Sequence, residues 1–242
     1  MQYEFRGKNI TEAVSRTIRA FGRPNHFTSA ISAGFDAKAI QKQLLAFDFS
    51  ELVHGGPVLF VGEGNLSFSH HLAKFAGLTR RNIVATVYEN AESLSAAIRK
   101  IATSLRQLGA RVIASADATD LAETFRKERF VGIVFQFPNV GSRTPFYGQN
   151  PNHVLATRYL KSAINFLTHD GVAIITTVDS PFYEGAFKIG KAATKAGYDL
   201  PRIFDFDPTD FPNYTHQNTA NDESAIEQYD EFATWVCRRK PA

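Results

Sequence analysis

The run Val58-Leu59-Phe60-Val61 passes straight into Gly62-Glu63-Gly64 and then into Asn65-Leu66-Ser67-Phe68-Ser69. Four consecutive apolar residues suit a strand buried on both faces, as the inner strands of a parallel sheet are. The residues after the second glycine open an amphipathic segment. A strand that ends in Gly-x-Gly just before a helix brings bare backbone close to a bound nucleotide. The competing reading is a plain tight turn. The motif's place between strand and helix favours a nucleotide or nucleoside cofactor at the mouth of a parallel sheet.

The rest of the chain repeats that unit. Strands are expected at 57–62, 82–88, 111–114, 130–137, 171–178, 203–206 and 232–237. Helices are expected at about 66–76, through Leu94, Ile98, Ile101, Leu105 and Leu108, from Asn152 through Leu167, and over 181–196. The spacing of four, three, four and three between Leu94 and Leu108 is the strongest helical signal, and Gly109 ends it. Unbroken β/α alternation predicts a doubly wound α/β sheet. A last strand with no helix after it, entered through the long polar segment 208–227, predicts that this strand is inserted antiparallel to the others. Such an ending is the pattern of class I methyltransferases; dinucleotide dehydrogenases usually lack it. A structureless stretch of that length suggests a lid or a disordered loop.

Residues 1–54 read as a helical extension ahead of a main domain at 55–242. Asn9-Ile10-Thr11-Glu12 is a capping box leading a helix that Gly22 and Pro24 stop, and a second helix is expected over 36–47. Helices this short need a partner surface, either the main domain or a second copy in a homodimer.

Composition narrows the function classes. At 242 residues with 44% apolar and 21% charged content, the chain can bury one full core. No window approaches eighteen uninterrupted apolar residues, which excludes a membrane-spanning helix. One cysteine, Cys237, excludes an internal disulfide or a thiolate metal cluster. The opening residues lack the basic-then-apolar order of a secretory signal, so a cytoplasmic setting is expected. Residues 1–198 carry 23 Lys or Arg against 15 Asp or Glu, and residues 199–242 carry 4 against 9. A basic body suits an RNA partner, or is simply a solvated surface.

Several residues stand where ligands bind in such sheets. Glu89 ends the second strand, where a carboxylate can accept from both hydroxyls of a ribose; alternatively it is only a favourable charge at a helix start. Asp117 follows the third strand and can accept from an adenine amino group, with Asp120 as the alternative helix cap. The fourth strand ends in Phe135-Gln136-Phe137-Pro138-Asn139-Val140-Gly141, where Gln136 or Asn139 could hold a planar acceptor, or the segment is a rigid turn. Ser67 occupies the place where a dinucleotide fingerprint prefers Gly or Ala, which weakens an NAD reading. The histidines form no metal-ligand spacing, and no nucleophile elbow or phosphate-binding lysine loop is present.

These blocks resemble the large-subunit ribosomal RNA uridine-N3 methyltransferase family, whose Rossmann-like domain binds S-adenosylmethionine. The resemblance runs through 61–69, 85–89, 117–119 and 135–141, and returns at Phe211-Pro212-Asn213-Tyr214-Thr215-His216-Gln217-Asn218-Thr219. It implies that Gly62, Glu63, Gly64, Asn65, Ser67, Glu89, Asp117, Ala118, Phe137 and Pro138 contact S-adenosylmethionine. On the acceptor side the expected residues are Gln136, Asn139, Tyr214 and His216, with His216 the candidate for the base that a uridine N3 requires and Tyr214 a surface that stacks on or orients the acceptor. Arg143 and Lys161 are candidate phosphate contacts, and no metal is implied. The chain departs from the family's pattern in having Glu89 for Asp, Gln136 for Asn and Asn139 for His. Thr215, Gln217 and Asn218 replace basic residues, which thins a phosphate-binding surface. The acceptor therefore stays open between an RNA base and a small metabolite, and a binding protein without transfer chemistry is the rival class.

Overall fold

Val58–Val61 (β1), Ile83–Thr86 (β2), Arg111–Ile113 (β3), Phe130–Gln136 (β4), Leu167–Val178 (β5), Arg202–Asp205 (β6) and Phe232–Arg238 (β7) form one sheet in the computed structural model. Its strand order is β3-β2-β1-β4-β5-β7-β6. The structure describes residues 46–74, 79–142, 144–146, 148–216 and 227–241. The first five strands run parallel, and β7 lies antiparallel between β5 and β6. This is the doubly wound sheet that the alternation predicted, with the antiparallel last strand of class I methyltransferases that the helix-free ending predicted. The order reverses between β1 and β4, the switch point where the carboxyl ends of parallel strands open a crevice.

Both faces of the sheet are covered, which explains the unbroken apolar runs. Val58, Phe60, Ile83, Ala85, Val134 and Ile174 point to one core, with Phe49 and Val53 of α1 (Phe49–Gly55), Phe68 and Leu72 of α2 (Ser67–Lys74), and Ala102 and Leu105 of α3 (Ala96–Gln107). Leu59, Val61, Val84, Ile133, Phe135 and Ile175 point to the other. There they meet α4 (Leu121–Phe125), α5 (Pro151–Ala163), α6 (Pro181–Phe187) and α7 (Ile189–Ala196). Each fully buried Leu, Ile or Phe contributes about 2 kcal/mol of transfer free energy. Helix starts are fixed locally: Ser95 accepts from Ile98 N at 3.2 Å, and Asn150 accepts from Asn152 N at 2.9 Å just ahead of Pro151.

The structure corrects several expected boundaries. The helix expected over 181–196 is two helices, broken at Lys188, whose φ of +47° ends α6. Strand β5 begins at Leu167, four residues early, because Leu167 pairs with Phe130 across a register shift. Helix α1 was not expected. Its Asp48 accepts from Glu51 N at 2.8 Å, and Phe49 and Val53 enter the core. Ala46 also bridges Asp205 of β6, so residues 46–55 pack with the sheet. The expected helix over 9–21, and that over 36–47 as far as residue 45, lie outside the described residues. The described part of the long polar segment runs to His216 and starts with a 3-10 turn at Pro208–Asp210. Residues 217–226 of it lie outside the described residues. No described helix is long and apolar enough to cross a membrane.

Candidate active site

The carboxyl tip of β1 is tied to β2 before α2 begins. Gly62 has φ +62°, and a Cβ there would stand 2.7 Å from the Phe135 ring, so only glycine fits. Its N–H donates to Thr86 Oγ1 at 3.3 Å, and Glu63 N donates to Thr86 O at 2.9 Å. Glu63 then turns inward and is 7% exposed. One carboxyl oxygen, Oε1, accepts from Ser69 N at 2.9 Å; the other, Oε2, is buried with no hydrogen-bond partner. Burial pushes this carboxyl up to about 7, against the pull of its hydrogen bonding from Ser69.

At the tip of β2 the backbone stays tied to β3 beyond the strand itself: Ser115 N donates to Glu89 O at 2.9 Å. Glu89 is half-buried, and its Oε2 has neither solvent contact nor a partner. After β3, Asp117 Oδ1 accepts from Thr119 N at 2.7 Å and from Thr119 Oγ1 at 2.8 Å. Asp117 thus closes a side-chain turn with one oxygen. Asp120 stands at the cap position of α4 but makes no side-chain cap bond. Ala118 is buried against α4 and α5.

The tip of β4 carries the least satisfied side chain. Both Nε2 and Oε1 of Gln136 are buried without partners. Phe137 follows with φ +46°, its N–H held by Thr176 O at 2.9 Å, and Pro138 is buried. Asn139 is exposed, and its Oδ1 accepts from Gly141 N at 2.9 Å, so its side chain shapes the outgoing turn. Arg143 lies outside the described residues. Lys161 is exposed in the last turn of α5. That helix end leads into the start of β5, so chain direction puts Lys161 at the sheet edge opposite the strand tips. The structure does not bring Lys161 to this group.

A strap from the end of β6 crosses these tips. Phe211 stacks on Phe206 at 5.2 Å and packs on Phe68 at 4.9 Å. Tyr214 packs edge-on against Phe68 at 5.4 Å and parallel to Phe137 at 6.5 Å. His216 meets the Phe137 ring edge-on at 5.3 Å. Burial lowers His216 to about 4, leaving it neutral at physiological pH. Burial and then the Glu63 carboxyl hold the Tyr214 phenol well above its ordinary value, so it stays protonated. Between them Thr215 is gripped by α2's first turn. Its carbonyl accepts from Asn65 Nδ2 at 2.8 Å and from Ser67 Oγ at 2.9 Å.

His71 of α2 is buried edge-on against Phe211 of the strap at 5.4 Å, while other described histidines serve elsewhere. His70 bonds Ser104 Oγ and His153 bonds Phe187 O, each through a ring nitrogen, and no His, Cys, Asp or Glu group among the described residues could hold a metal. An open cavity of about 500 Å³, lined by Pro181, Lys188, Lys191 and Trp235 among others, contains none of the residues above. Sequence reasoning missed Thr86, which pins the glycine turn, and the aromatic bed of Phe68, Phe206 and Phe211 under the strap. A phenylalanine every few residues around 204–211 was the available signal.

The family model described as BMT5-like, rRNA (uridine-N3-)-methyltransferase BTM5-like, matches residues 59–218. Uncharacterized protein At4g26485 of Arabidopsis thaliana is 30% identical over 171 residues, covering 65% of this chain and 79% of that protein. Heavy metal-associated isoprenylated plant protein 41 of Arabidopsis thaliana is 31% identical over 114 residues, 45% of this chain. The chain spans only 21% of that relative's length. Among solved structures, the 16S rRNA methyltransferase KamB aligns with a TM-score of 0.49 at 14% identity, over 86% of this chain and 94% of that one.

Proposed function

The chain belongs to the BMT5-like family of rRNA (uridine-N3-)-methyltransferases, and from that premise we propose that it transfers a methyl group from S-adenosylmethionine to a uridine base in RNA. One structural observation carries the reading. Among the described residues, buried polar atoms without partners stand just past or at the tips of three neighbouring parallel strands: Glu89 Oε2 after β2, Glu63 Oε2 after β1, and both amide atoms of Gln136 on β4, with Ser69 Oγ of α2 a further one beside Glu63. Buried polar groups are otherwise almost always paired, so a cluster of unpaired ones is a ligand's complement. Their chemistry fits this cofactor. Two carboxyls suit a ribose diol and an ammonium, and a neutral amide suits an imide edge.

When bound, S-adenosylmethionine supplies a methyl group already activated as a sulfonium. The chain's own residues supply the rest. Glu89 accepts from the ribose hydroxyls, and Glu63 Oε2 takes the ammonium of the amino-acid end. Gly62 and Gly64 let backbone approach that end, and Asp117 and Ala118 edge the adenine. Phe137 and Pro138 form a stiff floor, since Phe137 is held at positive φ and Pro138 fixes the next residue.

On the acceptor side, Gln136 Nε2 donates to a uridine carbonyl oxygen, where charge gathers as N3 loses its proton. His216 is neutral at physiological pH, so a ring nitrogen has a lone pair to receive that proton. Desolvation makes it a weak base in the free protein. Tyr214 stays protonated and acts only as a donor or a stacking surface. The base must be unpaired or turned out of its stack to reach the strand tips.

The test is to incubate the protein with methyl-labelled S-adenosylmethionine and separate pools of ribosomal RNA and small metabolites. Label recovered in RNA as N3-methyluridine is the expected result. Label confined to small metabolites, or bound cofactor with no transfer to either pool, contradicts the proposal.

A further inference from the structure

The Asn65 and Ser67 side chains are committed to the strap rather than to open space above the cofactor turn. Asn65 Nδ2 donates to Thr215 O at 2.8 Å and to Thr215 Oγ1 at 3.0 Å. Ser67 Oγ donates to Thr215 O at 2.9 Å and accepts from Thr215 N at 3.0 Å. Both main-chain polar groups of Thr215 are therefore held by the start of α2, across about 150 residues of chain. The orientation of the Asn65 amide is fixed by its partners. Its Oδ1 accepts from Ser67 N at 3.0 Å, so Nδ2 must face the carbonyl of Thr215. Leu66 between them is held at φ +62°, a left-handed conformation a leucine rarely adopts.

The consequence lies with the neighbours of Thr215. Tyr214 and His216 flank it directly, and both lie against Phe137 at the tip of β4. Fixing one residue's N–H and C=O sets where the two side chains on either side of it point. We infer that Asn65 and Ser67 are positioning residues: they lock Thr215 to the cofactor turn and so hold His216 and Tyr214 over the strand-four tip where the methyl acceptor sits. This deepens the uridine methyltransferase reading and rests on it. It also separates two roles that adjacent residues of one motif share, with Gly62, Glu63 and Gly64 facing the cofactor and Asn65 and Ser67 holding the acceptor machinery.

Two variants isolate the clamp. Asn65→Asp keeps the acceptor that receives Ser67 N but loses both donations to Thr215. Ser67→Ala removes the hydroxyl that bonds both Thr215 groups, and Ser67→Thr restores it. The variants are compared by calorimetric binding of S-adenosylmethionine, by kcat and KM on the RNA substrate, and by amide exchange of Thr215 followed by NMR. Expected for N65D and S67A are cofactor affinity within about twofold of the parent, kcat lowered at least tenfold, and faster Thr215 exchange. S67T should recover most of kcat. Unchanged kcat and Thr215 exchange in both variants would overturn the inference, as would a loss of cofactor affinity matching the loss in kcat. If the parent protein methylates no RNA, the uridine reading fails by itself. Thr215 exchange then still reports whether the clamp exists.

Discussion

The two halves of the sheet treat their buried polar groups in opposite ways. In the β5-β7-β6 half and the helices beneath it they are paired. Tyr159 OH bonds Ile133 O at 2.7 Å and Ile174 O at 3.2 Å, Tyr198 OH bonds Leu160 O at 3.0 Å, and Thr176 bonds Thr234 at 3.2 Å. Trp235 Nε1 donates to Thr177 Oγ1 at 3.2 Å. At the tips of β2, β1 and β4, Glu89, Glu63 and Gln136 each keep buried atoms without partners. Leaving a buried polar group unpaired costs about 1–3 kcal/mol. The first half resembles a structure optimised for its own stability. The second leaves polar atoms available at the crevice of a topological switch point, the place where ligands bind in such sheets, and this is the basis of the cofactor site proposed above.

The largest effect that sharpens this contrast is at Glu63. Its carboxyl is raised from 4.5 to about 7, so the folded state binds the proton more tightly than the unfolded chain. Stability of the cofactor-free protein is then full below pH 4.5 and falls as pH rises through about 7. The fall is about 3 kcal/mol at ~1.4 kcal/mol per unit. Glu63→Gln removes that pH dependence and raises stability at pH 8 by a similar amount, read from urea unfolding at pH 5 and pH 8. It should at the same time weaken S-adenosylmethionine binding. A wild-type stability that is flat over this range would break the account of Glu63.

Next comes Glu89→Ala. It removes a carboxylate that makes no intramolecular bond at its buried oxygen, so stability should hold. Cofactor affinity should drop by about 2 kcal/mol, roughly thirtyfold in Kd. Tyr159→Phe is the mirror image. Unfolding free energy should fall by about 1 kcal/mol, with cofactor affinity untouched. If the two variants exchanged effects, the division between the halves would be wrong. The smallest effect is expected from the double variant Thr176→Val with Thr234→Val, which replaces both partners of a paired bond by apolar groups of the same shape. Its unfolding free energy should stay within about 0.5 kcal/mol of the parent, whereas either single variant should cost about 1 kcal/mol.

Much of the scaffold was legible because two periodicities and a few glycines dictate it. Val58–Val61 and the core of β4 read as buried strands since helices cover both faces, and Gly62 was marked by the turn it makes. The helix break at Lys188 left no signal, because a lysine rather than a glycine adopts the left-handed conformation there. Strand β5 was read short because His169 and Asp170 are exposed, hiding the pairing of Leu167 with Phe130. The site was legible by position, through acids and amides at strand ends, but not by partner. Nothing local says that Glu63 turns inward to cap α2, or that Asn65 and Ser67 reach Thr215. Nor does anything local say that Asn139, expected with Gln136 to hold an acceptor, closes a turn on Gly141 through its Oδ1. Such partnerships join residues that only the fold brings together.

The proposed cofactor site is built on the unpartnered polar atoms at the tips of β2, β1 and β4. Calorimetric titration of S-adenosylmethionine into the wild-type protein and into Glu89→Ala tests it most directly. Saturable binding at one site, weakened roughly thirtyfold by the substitution, is the predicted result. Equal affinity in the two proteins, or no binding to either, would contradict it.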